Sequence, residues 1–112
     1  MSDLAKRNCE PCRSGVPPLS AEEIEPLYVQ LDPGWQVVDS HHLHRLYEFR
    51  NFAEALAFTN RVGAMAEEQG HHPDLYVTWG KVGVEIWTHK IKGLHEADFV
   101  FAAKCDALYP PT

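Results

Sequence analysis

Residues 51–70 confine the fold more than any other stretch of this chain. Asn51 followed by Glu54 resembles a capping box, and apolar residues recur at Phe52, Ala55, Leu56, Phe58, Val62, Met65 and Ala66. Gly70 then supplies a C-terminal glycine, and Pro73 holds His72 in an extended conformation. This is one long amphipathic helix with both ends marked. On either side of it the apolar period drops to two. Residues 35–38 and 43–49 read as strands after the turn Asp32-Pro33-Gly34, joined through Asp39-Ser40-His41-His42. Leu43, Tyr47 and Phe49 share one face of the second strand. Residues 75–79 and 82–88 form another pair joined at Gly80-Lys81, with Val82, Val84 and Ile86 turned toward the helices.

Two further helices complete the pattern. Ser20 and Glu23 form a capping box that opens a short helix, which carries Ile24, Leu27 and Tyr28 inward and is shortened or distorted by Pro26. A last helix covers about residues 95–108, with Phe99, Val100, Ala102 and Ala103 as packing residues. The order α-β-β-α-β-β-α predicts an α+β fold, a four-stranded antiparallel sheet with three helices packed on one face. Pro11, Gly15, Pro17 and Pro18 make residues 1–19 an irregular leader, so residues 20–112 are expected to form a single domain.

Charge removes several classes of function. A formal net charge of -6 and a pI near 5.5 leave no basic face for nucleic acid or for an anionic membrane surface. No apolar run approaches the roughly 18 residues that suggest a spanning helix. Residues 1–20 lack the apolar centre of a signal peptide, so a soluble cytoplasmic protein is expected. The cysteines are three, Cys9, Cys12 and Cys105, an odd count with no framework for structural disulfides.

The chemistry concentrates in histidine. The chain has 7, at His41, His42, His44, His71, His72, His89 and His95. Imidazole titrates near neutrality and suits both proton transfer and metal binding. His41, His42 and His44 fall at a turn, where exposed polar residues are the ordinary explanation. His71 and His72 lie between a helix end and a strand start, and His89 ends the strand paired with that one. A hairpin places the start of its first strand beside the end of its second, so His71 or His72 is expected near His89, with Glu67 one helical turn away. Zinc is a rival reading for these histidines with Glu67. Neighbouring residues on an extended segment point in opposite directions, however, which disfavours a shared ion. Cys9-x-x-Cys12 offers two thiolates but has no second pair.

Glu67-x-x-x-His71-His72-Pro73, Trp79, Lys81-Val82, Thr88-His89, Gly93-Leu94 and Asp98 together resemble the signature of pterin-4a-carbinolamine dehydratases. Gly34-Trp35, Phe49, Phe52 and Arg61-Val62 extend the resemblance, which covers about residues 19–108. It implies dehydration of 4a-hydroxytetrahydropterin to quinonoid dihydropterin, a step that recycles the cofactor of aromatic amino acid hydroxylases. It also implies a pterin pocket with His71, His72 and His89 as catalytic residues and Glu67, Trp35, Pro73 and Asp98 as substrate-binding residues. Trp35 reads equally well as a core aromatic, and Asp98 as a helix-dipole partner. The resemblance further implies no metal and no cofactor, a homodimer or homotetramer, and functional coupling to a hydroxylase. The coactivator role of some animal members has no support in these residues. His95 departs from the Ser or Thr that more often opens the last helix, which weakens a cap. A non-catalytic protein-binding module on the same fold is the competing class.

Overall fold

The computed structural model describes residues 4–9 and 16–109. Its order is α1 (Ala21–Tyr28), β1 (Gln36–Val38), β2 (His42–Glu48), α2 (Phe52–Gln69), β3 (Asp74–Thr78), β4 (Lys81–Ile86) and α3 (Glu96–Leu108). The fold is α+β, as the alternation of periods requires. All strand pairs are antiparallel and the sheet order is β1-β2-β4-β3, so the two hairpins meet through β2 and β4. Leu43 opposes Ile86, Arg45 opposes Val84 and Tyr47 opposes Val82 on the face turned to the helices. Leu43, Val82, Val84 and Ile86 are fully buried there. His44, Leu46 and Glu48 oppose Glu85, Gly83 and Lys81 on the other face, where Leu46 remains 49% exposed.

Local chemistry places the ends of these elements. Ser20 and Glu23 exchange both bonds of the capping box at α1. At α2 the Asn51 side chain accepts from the Glu54 amide, while the Glu54 carboxylate turns to Arg50. Gly70 ends α2 in the left-handed region at φ 65, where a side chain is strained. Between β1 and β2, Asp39 and Ser40 both have positive φ, and His41 N–H donates to the Val38 carbonyl across the turn. Two successive left-handed residues give the turn a twist that matches the strands it joins.

Two packing expectations need correction. Phe52 and Leu56 belong to the apolar stripe by sequence, yet both remain largely exposed. Ala55, Phe58, Val62 and Ala66 form the buried row, and Phe52 and Leu56 lie on a neighbouring i, i+4 row. In α3 the packing surface is wider than expected: Ala97, Phe99, Val100, Phe101, Ala102 and Cys105 are all buried. A helix apolar on nearly every side needs a second cover. The cover is the leader, where Leu4–Lys6 forms a single 3-10 turn against α3 with Leu4 fully buried. Lys104 Nζ donates to the Ala5 carbonyl at 3.0 Å, and Arg7 pairs with Glu96.

The segment after β4 is folded tightly. A bridge pairs Thr88 with Gly93, a 3-10 turn covers His89–Ile91, and Leu19 N–H donates to the Leu94 carbonyl. A Cβ at Gly93 would stand 2.5 Å from Pro18 Cβ, closer than carbon atoms approach. Gly93→Ala should therefore cost about 1–3 kcal/mol through overpacking, read as a lower midpoint in urea unfolding.

Candidate active site

A cleft of about 370 Å³ opens where the end of α2, the segment after β4 and the start of α3 converge. His71, His72 and His89 all line it, so the hairpin brings together the imidazoles that its topology predicts. Gln69, Gly70, Trp87, Thr88, Lys90, Ala97 and Cys9 complete its surface.

The two adjacent histidines turn to opposite sides, as an extended backbone demands. His71 points inward: its Nε2 lies 2.6 Å from Asp98 Oδ1, with 17% exposure for the histidine side chain and none for the aspartate. An ionised carboxylate only accepts, so the nitrogen facing it carries the hydrogen and Nδ1 is the position left for a ligand. Asp98 is held on its other oxygen, which accepts from Thr88 Oγ1 at 2.8 Å and from the His95 backbone N–H at 2.9 Å. That last bond is the carboxylate half of a capping box. α3 is therefore capped by Asp98 in its own first turn, which compensates for His95 standing where Ser or Thr would be a better cap. His72 points outward, its Nε2 paired with Glu67 Oε2, and both side chains are mostly exposed, at 61% and 78%. Pro73 follows, partly buried, before β3 begins at Asp74. The site thus holds two histidine–carboxylate pairs, one buried and fixed, the other open to solvent.

His89 reaches the cleft from the turn after β4, exposed, with its ring centroid 4.4 Å from that of Trp87. The strand ends at Ile86, earlier than the sequence pattern suggests, and Trp87, Thr88 and His89 leave the sheet to line the cleft. On its far side Trp87 meets His41 and His42, with centroids 5.3 and 5.7 Å away. His42 and His44 also flank Glu85, at 4.0 and 3.3 Å. His41 in the turn and His42 at the start of β2 therefore buttress the site wall without lining the cleft, and His44 lies within β2. Among the described residues no group of three or more His, Cys, Asp or Glu side chains is arranged to hold a metal ion.

Trp35 is placed elsewhere. It is fully buried in the core, its indole N–H donating to the Asp106 carboxylate at 3.0 Å. The core-aromatic alternative is the one that describes its surroundings. Trp87 is the tryptophan at the cleft, and sequence reasoning passed over it because strand alternation turned it away from the core. Its adjacency to Thr88-His89 was the available signal. Cys9 also lies at the cleft: Sγ is 3.6 Å from the Ala97 carbonyl, and the Cys9 N–H donates to Gln69 Oε1 at 2.7 Å. Burial pushes its thiol up to about 11, so it is a neutral thiol and not a thiolate nucleophile at pH 7. Cys105 is a second buried free thiol, and Cys12 lies outside the described residues.

Comparison with known proteins adds a family to this geometry. A family model described as pterin 4 alpha carbinolamine dehydratase matches residues 17–108. A protein of Rubrobacter xylanophilus, provisionally named pterin-4-alpha-carbinolamine dehydratase, is 61% identical over 96% of this chain and 100% of its own length. One of Alkaliphilus metalliredigens with the same provisional name is 53% identical, covering 95% of this chain and 96% of its own. The crystal structure of a transcriptional coactivator/pterin dehydratase from Brucella melitensis superposes with a TM-score of 0.77 at 31% identity, covering 83% of this chain and 99% of that one. A pterin dehydratase-like protein identified as a RuBisCO assembly factor in the alpha-carboxysome is similar at a TM-score of 0.60 and 26% identity, covering 70% of this chain and 93% of that one.

Proposed function

Since this chain belongs to the pterin 4 alpha carbinolamine dehydratase family, we propose that it dehydrates a 4a-hydroxytetrahydropterin to the quinonoid dihydropterin and water. The observation that carries this reading is the meeting of His71, His72 and His89 in one cleft, two of them backed by carboxylates. The reaction breaks the C4a–O bond and removes the proton on N5. Hydroxide leaves poorly, so one group must protonate the departing oxygen while another accepts the N5 proton. Imidazole serves both ends near neutral pH. His72 and His89, both exposed at the cleft, act as the acid/base pair. His71, fixed by Asp98 in one tautomer, binds and orients the ring through its other nitrogen. Glu67 holds the tautomer of His72, and Pro73 keeps the pair on an extended segment. Trp87 supplies the aromatic face first assigned to Trp35.

In this reading the protein acts on a free small-molecule pterin, recycles the spent cofactor of an aromatic amino acid hydroxylase, and works in the cytoplasm. Among the described residues no helix is long and apolar enough to cross a membrane. Assembly as a homodimer or homotetramer would cover the outer sheet face, where Leu46 and Tyr76 stand exposed. The test is a dehydratase assay on the purified chain. Acceleration above the spontaneous reaction is expected. No acceleration would favour a non-catalytic protein-binding module, the reading to which the similarity with a RuBisCO assembly factor lends weight.

A further inference from the structure

The leader is the part of the chain that the proposed activity does not yet use, and the family model begins only near its end, at residue 17. Its described residues are nevertheless tied into the site. Leu4 is fully buried against α3, and Lys104 and Arg7 fix the following residues to the same helix. The chain then reaches the cleft at Cys9. There the Cys9 N–H donates to Gln69 Oε1 at 2.7 Å, and Cys9 Sγ lies against the Ala97 carbonyl. Gln69 and Cys9 both line the cleft with the histidines, and Gln69 is the last residue of α2, one glycine before His71.

We propose that the leader, through Cys9, closes one side of the substrate cleft and that Gln69, clamped by Cys9, is a positioning residue for the pterin. This rests on the dehydratase reading. The clamp spends the oxygen of the Gln69 amide on Cys9 and thereby fixes which end of the amide, its NH₂ group, is presented to a ligand. A pterin ring offers acceptors to such a donor in its carbonyl oxygen and ring nitrogens. Without the clamp the glutamine is free to rotate, and both the wall and the donor are lost at once. Neither bond of the clamp is made to a histidine, so it should govern binding more than chemistry.

Five proteins test this: the parent, Gln69→Leu, Leu4→Ala, the double variant of these two, and Gln69→Glu, which keeps the clamp and removes the donor. Gln69→Leu should raise KM about threefold to tenfold, the scale of one hydrogen bond, with kcat nearly unchanged. Gln69→Glu keeps an acceptor for Cys9 but has no NH₂ group to donate, so it should raise KM at least as much as Gln69→Leu. Leu4→Ala withdraws the anchor from a distance and should raise KM in the same sense. The double variant should be no worse in KM than Gln69→Leu alone, because both act through one clamp. A parent-like KM in Gln69→Leu or in Gln69→Glu, or additive effects in the double variant, would overturn the proposal. If the parent does not accelerate dehydration, the dehydratase reading fails by itself. The same proteins are then compared by pterin affinity, read from quenching of tryptophan fluorescence, and a parent that binds no pterin overturns both.

Discussion

His72→Ala and His89→Ala proteins should fold as the parent does and dehydrate carbinolamine at least tenfold more slowly, within a range of ~10²–10⁴-fold set by positioned acid/base groups. The folding half of this expectation follows from exposure. His72 and Glu67 are a solvated pair, and such pairs contribute about 0–1 kcal/mol. His89 is exposed on a turn and buries no charge. A loss of turnover with unchanged thermal midpoint would therefore be a loss of chemistry. Wild-type rates in both variants would end the acid/base assignment. His71→Ala is the less clean experiment, since it also deprives the buried Asp98 of one of its three donors.

The largest effect on stability is expected at the opposite end of α3. Asp106 accepts from the Trp35 indole N–H, from the Tyr47 hydroxyl at 2.5 Å and from Arg45 at 2.8 Å. Arg45 also reaches Asp32 at 3.2 Å and lies over the Tyr47 ring. Asp106→Ala would leave a half-buried guanidinium without its nearer anion and two buried donors without an acceptor. The cost should be about 3 kcal/mol, at the low end for breaking a buried pair because Asp106 retains some exposure. For a domain of this size that is a fall of roughly 10–20 °C in Tm. Burial, the largest influence, raises the Asp106 carboxyl above 3.8, while its bonds to Tyr47, Arg45 and Trp35 act the other way. The linkage then has a definite sign. Folding favours the protonated acid, so this contribution is fully present below 3.8 and is lost as pH rises through the raised value. Asp106→Asn cannot ionise, and the stability difference between it and the parent should change over that window and be flat above it. A difference that is constant across the window would contradict the role given to burial.

Much of this was legible in the sequence because the relevant signals are local. The capping serine of α1, the asparagine and glycine that bound α2, and the alternation in β4 each act within a few residues, and each element formed where its signal lay. The convergence of His71, His72 and His89 was legible for a different reason: antiparallel pairing is a strong geometric rule, and it fixes which strand ends meet. What stayed hidden depends on contacts between distant segments. The second face of α3 reads as surplus hydrophobicity until the leader is seen to cover it. By its neighbours Asp98 is an ordinary acidic residue in a first helical turn, the family resemblance alone points it to the pocket, and the fold shows it joined to His71 and Thr88. Trp35 and Trp87 exchanged places for the same reason. Burial in the core was decided by Asp106, seventy-one positions away, and exposure at the cleft by a strand that ends one residue before Trp87.

Asp98 also gives a way to tell working enzymes from retired ones within this family. The third position of a capping box is satisfied by an acceptor side chain such as Glu, Gln or Asp, so a chain that needs only the helix is free to drift among them. A chain that also needs its inward histidine held by an anion is not, because Gln carries no charge and Glu is one methylene longer than the carboxylate that meets His71 at 2.6 Å. Descendants that adopted the fold for scaffolding should show relaxed choice at this position together with loss of the histidine, whereas active lineages should keep the two residues as a linked pair.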